Sequence, residues 1–127
     1  MILPSNHLFK FIPGVGFDFR FQYMSASSRS TYPVDLTNYT AQWTITDSNQ
    51  TYIYGMGVTG SSGVFFGGSP NTPSNGIIDL ILTPAVTAVL TSPADYQFIL
   101  YPGGSQSNPI PLLTGNMVNA NSTLLIV

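Results

Sequence analysis

Charge is what this sequence has least of. Its 127 residues include three basic and five acidic side chains (Lys10, Arg20, Arg29, Asp18, Asp35, Asp47, Asp79, Asp95), and glutamate is missing altogether. A free soluble domain devotes about a quarter of its residues to Asp, Glu, Lys and Arg, against 6% here. The polar remainder is Ser, Thr, Asn and Gln, which hydrogen-bond but do not repel a neighbour. Such a surface is expected to be covered by other protein, and the isolated chain to self-associate. Three basic residues between positions 10 and 29 cannot neutralise a run of phosphates, so nucleic acid is not an expected partner.

Cysteine is also absent, which excludes disulfide frameworks, thiolate metal sites and cysteine nucleophiles together. His7 is the only histidine, too few for a histidine-based metal site, and it lies outside any strand that would orient it in a triad. No cofactor or metal is therefore expected. The longest apolar run, residues 77–90, is interrupted by Asp79, Thr83 and Pro84 and falls short of the ~20 residues needed to cross a bilayer. Residues 1–10 lack a basic segment followed by an unbroken apolar one, so neither a signal peptide nor a membrane partner is expected.

What is present suits one core: 43% hydrophobic and 13% aromatic residues in a chain of single-domain length. Phe17-Asp-Phe-Arg-Phe-Gln-Tyr23 alternates aromatic and polar residues without a break, which puts the aromatic rings on one face of a strand. Residues 40–46, with Trp43 and Ile45 on one side, and 94–101, with Tyr96, Phe98 and Leu100, repeat the pattern. Residues 76–82 read as a strand buried on much of both faces. Further strands are expected at 52–54, 64–66, 110–118 and 122–127, with a turn at 32–39; residues 85–90 fit a helical turn or a short strand. Ten prolines and turn-rich connections complete an all-β pattern of seven to eight short strands, which calls for a single antiparallel β-sandwich or barrel. Residues 1–16 read as an N-terminal arm, 17–127 as the sandwich, and 55–76 as its Gly-rich loop.

The residues capable of chemistry do not assemble into a motif. Asp18, Asp35, Asp47 and Asp95 sit where strand ends and turns use a carboxylate to satisfy local amides. Asp79 interrupts an apolar strand: by default it faces solvent, and otherwise it is buried against Arg20 or Arg29 as a pair that fixes register. Asp47-Ser-Asn49 lacks the glycine and later carboxylate of a calcium loop. Gly14-Val-Gly16 and Gly55-Met-Gly57 lack the strand-to-helix context of a phosphate cradle. The Asn-led triplets at Asn38, Asn49 and Asn121 reflect abundance rather than glycosylation. Tyr32, Tyr39, Tyr52 and Tyr54 leave open a sugar-stacking platform.

Several segments in their order carry a resemblance: Phe19-Arg-Phe-Gln-Tyr23, Tyr32-Pro-Val-Asp-Leu-Thr-Asn-Tyr-Thr40, Gly76-Ile-Ile-Asp-Leu-Ile-Leu-Thr83, Asp95-Tyr-Gln-Phe-Ile-Leu-Tyr101 and Leu113-Thr-Gly-Asn-Met-Val118. The set resembles small tailed-bacteriophage virion proteins. The resemblance implies an Ig-like β-sandwich, a structural role in the baseplate, neck or tail-fibre attachment region, and no enzymatic residues. The expected protein is then a virion subunit, assembled in the host cytoplasm, that docks on other virion proteins in a symmetric multi-copy assembly. Ile2, Leu3, Leu8, Phe9, Phe11 and Ile12 of the arm, with Tyr52, Tyr54, Phe65 and Phe66, are the candidate interface. A capsid decoration protein and a receptor- or glycan-binding module are the alternatives.

Overall fold

Two kinds of strand make the fold: alternating ones with a wet face, and a continuous apolar one that both faces cover. The structure is a computed structural model and describes residues 5–26, 31–57, 60–67, 73–104 and 108–120. Its strands are β1 (Ser5–Asn6), β2 (Phe9–Phe11), β3 (Phe17–Gln22), β4 (Met24–Ala26), β5 (Thr31–Pro33), β6 (Thr40–Thr46), β7 (Thr51–Tyr54), β8 (Gly63–Phe66), β9 (Ile77–Leu82), β10 (Ala94–Tyr101) and β11 (Ile110–Asn119), with one helix, α1 (Pro84–Val89). That helix has six residues, and no described helix is long and apolar enough to cross a membrane.

The larger sheet runs β1-β11-β10-β6-β7, with β2 pairing further along the same edge of β11. The smaller runs β3-β9-β8. They pack face to face because each turns its apolar side inward. Trp43, Ile45, Tyr96, Phe98, Leu100 and Met117 come from the larger sheet, and Val64, Phe66, Ile78, Leu80 and Leu82 from the smaller, all buried in one cluster. Phe21 meets Phe98 edge-on at 5.7 Å, and Phe17 lies 6.1 Å from Trp43 across the same interface. The outer face of the larger sheet mixes polar residues with Ile53 and Ile99, and its Thr46 and Thr51 hydroxyls lie 3.3 Å apart on neighbouring strands.

This is the expected all-β sandwich, with three corrections. The expected arm 1–16 is not an arm over its described residues: β1 and β2 are two pieces of one edge strand of the larger sheet, and Phe9 and Phe11 are core residues, each 2% exposed. That edge strand runs parallel to β11, so the sandwich is not wholly antiparallel. The strands outnumber the expectation because of β1 and β2 and because β4 and β5 form a small antiparallel pair beyond the end of β3. Residues 122–127, expected as a last strand, lie outside the described residues.

Residues 85–90 resolve to helix. Pro84 fills the first helical position, where its missing N–H costs nothing, and the helix holds the turn between β2 and β3. Buried Thr87 accepts a hydrogen bond from the Gly14 amide (3.1 Å) and donates one to the Val15 carbonyl (2.9 Å). The turn closes on itself through the Val15 amide and the Ile12 carbonyl.

Candidate functional site

A two-layer sandwich has two sides where sheet edges face each other, and here the sides differ. Past β7, the chain at Gly55–Gly57 crosses to the smaller sheet. The Gly57 amide donates to the Val64 carbonyl and the Val64 amide to the Gly55 carbonyl, forming a parallel bridge between Met56 and Val64. Gly63 is required there, since a Cβ on it would meet the Gly57 Cα at 2.9 Å and its φ is +151°. This side is sealed by backbone hydrogen bonds.

The opposite side is not. Among the described residues β3 pairs with β9 only, and no backbone hydrogen bond joins its other edge to β1 or β2. Between them runs a cleft of about 350 Å³ lined by His7–Ile12 and Val15–Phe19. Its floor is aromatic: Phe9 lies 5.3 Å from Phe17, 4.6 Å from Phe19 and 4.5 Å from Tyr96, stacked on the last. Its rim carries three large exposed aliphatic side chains, Leu8 (52% exposed), Ile12 (44%) and Val15 (52%). An unpaired strand edge beside an apolar slot is the arrangement that accepts an added strand: backbone groups supply the hydrogen bonds, and alternate side chains fill the slot.

The wall of this cleft is held in place by Tyr96. Its hydroxyl donates to the His7 carbonyl between β1 and β2. Burial pushes the Tyr96 phenol up to about 12, so the phenol stays protonated and a donor. At the preceding peptide group, the His7 amide donates to the Thr114 carbonyl at 3.0 Å.

A second concavity, about 570 Å³, lies on the outer face of the smaller sheet among Asp18, Arg20, Phe65, Asp79, Ile81 and Pro84. Asp79 does not face solvent, the default expectation: it is 2% exposed, opposite Arg20 in register. Arg20 grips it with Nε–Oδ1 at 2.7 Å and Nη2–Oδ2 at 3.0 Å. The other proposed partner, Arg29, lies outside the described residues. Beside the pair, burial and then the Asp79 charge push the Asp18 carboxyl up, with Arg20 opposing them. The pair locks the β3–β9 register and shields a carboxylate that Phe65 and the strand backbone have desolvated.

The remaining carboxylates divide. Asp47 is the turn device expected, accepting from the amides of Asn49 and Gln50 (2.8 Å each) and of Thr91 (3.1 Å). Burial works to raise it, but these bonds outweigh burial and hold it below the usual range. Asp35 likewise accepts from the Thr37 hydroxyl and amide, which lower it. Asp18 and Asp95 sit at strand ends, each the second residue of its strand, β3 and β10, and Asp95 accepts from the Asn116 side-chain amide in place of the backbone amide expected.

Of the candidate interface residues, the structure brings Leu8 and Ile12 to the open cleft, exposed. Phe9, Phe11 and Phe66 (3% exposed) are in the core instead, and Phe65 (5%) is buried on the outer face of the smaller sheet; none of the four is available to a partner as a projecting anchor. Gly57 explains Phe65, because a Cβ at that position would lie 2.6 Å from the Phe65 ring. Tyr52 and Tyr54 sit opposite Ile45 and Trp43 and share their inward face, half-buried with rings 6.5 Å apart. Between them Ile53 points outward, 65% exposed. Ile2 and Leu3 lie outside the described residues. The rim residue that sequence reasoning missed is Val15, whose signal is an aliphatic residue held between Gly14 and Gly16 in a turn. No known protein family matches the sequence, and no curated protein shows significant similarity to it.

Proposed function

We propose that the chain is a non-enzymatic structural subunit of a tailed-bacteriophage virion that docks on other tail, neck or baseplate proteins through an open sheet edge. The observation that carries this reading is the unsealed side: β3 with an edge that has no partner among the described residues, an aromatic-floored cleft, and exposed Leu8, Ile12 and Val15 at its rim. A free protein blunts such an edge with charge, proline or a covering element, and this chain has few charges for the task. The docking element is the cleft between the β1–β2 edge strand and β3 rather than a free arm.

The finer reading of the fold as Ig-like belongs to the same proposal. If β1 and β2 together count as the first strand and the β4–β5 pair is set aside, β3-β9-β8 corresponds to the B-E-D sheet, and β11-β10-β6-β7 to G-F-C-C′. Trp43 is then the buried tryptophan of the third strand, in a version without a disulfide.

The test is incorporation. Particles purified from cells producing the phage should contain the chain at a fixed stoichiometry by mass spectrometry. The same chain carrying Leu8→Asp and Val15→Asp should fold but be left out. Absence of the native chain from particles refutes the virion role, and unchanged incorporation of the variant refutes the edge as the docking surface.

A further inference from the structure

The concavity on the outer face of the smaller sheet has the makings of a ligand site. Its floor is built by register: Asp18 and Arg20 of β3 stand opposite Ile81 and Asp79 of β9, and Phe65 of β8 stands opposite Asp79 from the other side. Pro84 at the start of α1 adds an exposed apolar wall. The volume, about 570 Å³, lies within the ~300–1,000 Å³ of small-molecule sites, which combine an apolar lining with a few fixed polar groups.

Two polar groups here have capacity to spare. An arginine side chain has N–H donors at Nε, Nη1 and Nη2, and Asp79 takes one from Nε (2.7 Å) and one from Nη2 (3.0 Å). The Nη1 donors meet no acceptor among the described residues, and the Arg20 side chain is 61% exposed. The two-point grip of Asp79 fixes the guanidinium plane, so these donors are held in place before any ligand arrives. Two residues earlier on the same strand face, the Asp18 carboxyl is exposed and accepts no hydrogen bond from a described residue. Burial and then the Asp79 charge push it up, and a donor brought by a ligand would stabilise its charged form.

Charge selects the ligand. An anion at Nη1 would stand beside Asp79 and Asp18, and a cation at Asp18 would stand beside the Arg20 guanidinium, so either meets a like charge. A hydroxyl carries no charge and both donates and accepts. A molecule with several hydroxyls around an apolar ring face matches the whole lining, and that description is a sugar. We propose that this concavity binds a neutral sugar, one hydroxyl accepting from Nη1 of Arg20 and another donating to the carboxylate of Asp18, with the C–H face of the ring against Ile81 and Pro84. The site shares Asp18 with the open cleft but none of its exposed rim residues, so it stands or falls apart from the virion role.

Saturation-transfer NMR titrations of the full chain test it, with maltose, lactose and cellobiose as neutral probes and butylamine and butyrate as charged ones, all at millimolar concentrations. At least one disaccharide should bind saturably and more tightly than either charged probe. Asp18→Ala removes the acceptor, and Arg20→Lys keeps a charge beside Asp79 while removing the Nη1 donors. Each should weaken sugar binding about tenfold, with thermal melts confirming that both variants fold. Asp18→Asn retains an acceptor oxygen and should bind more tightly than Asp18→Ala. Ile53→Thr, on the outer face of the larger sheet, should bind as the native chain does. Failure of all three disaccharides to bind overturns the inference, and so does tighter binding of butylamine or butyrate. Folded Asp18→Ala and Arg20→Lys proteins that bind the sugar as the native chain does would place it elsewhere and overturn the assignment of this site.

Discussion

Replacing Gly115 by alanine should dismantle the edge that forms one wall of the cleft. Gly115 sits in β11 at φ +151°, and a Cβ built there lands on the His7 carbonyl oxygen and 3.2 Å from its carbonyl carbon. Backbone cannot rotate aside as a side chain would. His7 is also held from two directions, by the Thr114 carbonyl on its amide and the Tyr96 hydroxyl on its oxygen. Relief in place therefore combines overpacking, about 1–3 kcal/mol, with a non-glycine residue at an unfavourable φ, about 1–3 kcal/mol. Distorting the His7 hydrogen bonds adds about 1 kcal/mol for each one lost. The other route is to release β1 and β2, which gives up the burial of Phe9 and Phe11 at about 1.5–3 kcal/mol each. The two routes overlap at about 3–6 kcal/mol, a large part of the ~5–15 kcal/mol that holds a domain together.

Urea denaturation of the Gly115→Ala protein should show that loss, and thermal melts a fall of roughly 10–20 °C. Gly14→Ala is the control. Gly14 also has a positive φ, +80°, but nothing lies within 4 Å of a Cβ there, so that variant should lose only the conformational term, about 1 kcal/mol. If Gly115→Ala is no less stable than Gly14→Ala, the close approach of β11 to the His7 peptide is not what fixes this edge, and the account of the cleft wall fails. Amide exchange distinguishes the two routes, since release of the edge would expose the Phe9–Phe11 amides while the rest of the larger sheet stays protected.

The Arg20–Asp79 pair should reveal itself through the sign of two substitutions. Arg20→Leu leaves a desolvated carboxylate without its counter-ion and should lower the urea midpoint, whereas Asp79→Leu replaces the charge by an apolar group beside Phe65 and should be neutral or stabilising; the reverse order would show that the pair stabilises beyond its desolvation cost. Asp47 and Asp18 should give opposite pH profiles. The folded carboxyl of Asp47 is depressed, so its stabilising contribution is present above the unfolded value of about 3.9 and lost as pH falls through the folded value. Asp47→Ala should therefore cost stability at neutral pH, with the difference from the native protein shrinking in acid. Asp18 is raised, so its ionisation opposes folding as pH rises through the folded value. Asp18→Asn should gain stability at neutral pH and converge on the native protein below pH ~4; parallel profiles for the two variants would contradict the assigned environments.

Where local pattern determined the outcome, the sequence was readable. The alternation in β3, β6 and β10 and the apolar run of β9 each reflect which face a strand must bury, a property of a few consecutive residues. The exceptions share one cause, partner choice across long sequence separations. Phe9 and Phe11 looked like anchors on an arm because Pro4 and Pro13 interrupt the segment, and only the edge of β11, about a hundred residues away, makes them core. Phe65 looked exposed in a Gly-rich loop until Gly57 folded across it. Asp79 resembled a solvent-facing residue because the counter-ion that makes burial tolerable stands 59 positions earlier. The polar stretch after Tyr23 concealed β4, whose pairing with β5 depends on backbone geometry more than on side-chain pattern. Val15 is marked in the sequence only by its place between Gly14 and Gly16, and its rim position is set by Thr87 of α1 gripping the turn around it.

The shortage of charge also acquires a location. Asp35 and Asp47 are occupied in turns, Asp95 in a bond to Asn116, and Arg20 with Asp79 in one another. At the open cleft only Lys10 and Asp18 among the lining residues carry formal charge. Charged side chains, lysine above all, are the usual means by which an unpaired strand edge avoids strand addition, and this cleft carries one of each sign, which cancel at long range. The sealed side needs no such guard because Gly55–Gly57 already pairs with β8. Among the described residues one side of the sandwich is closed by backbone hydrogen bonds, and the other combines a strand edge without a partner, almost no net charge and three exposed aliphatic side chains, which is the combination the proposed docking calls for.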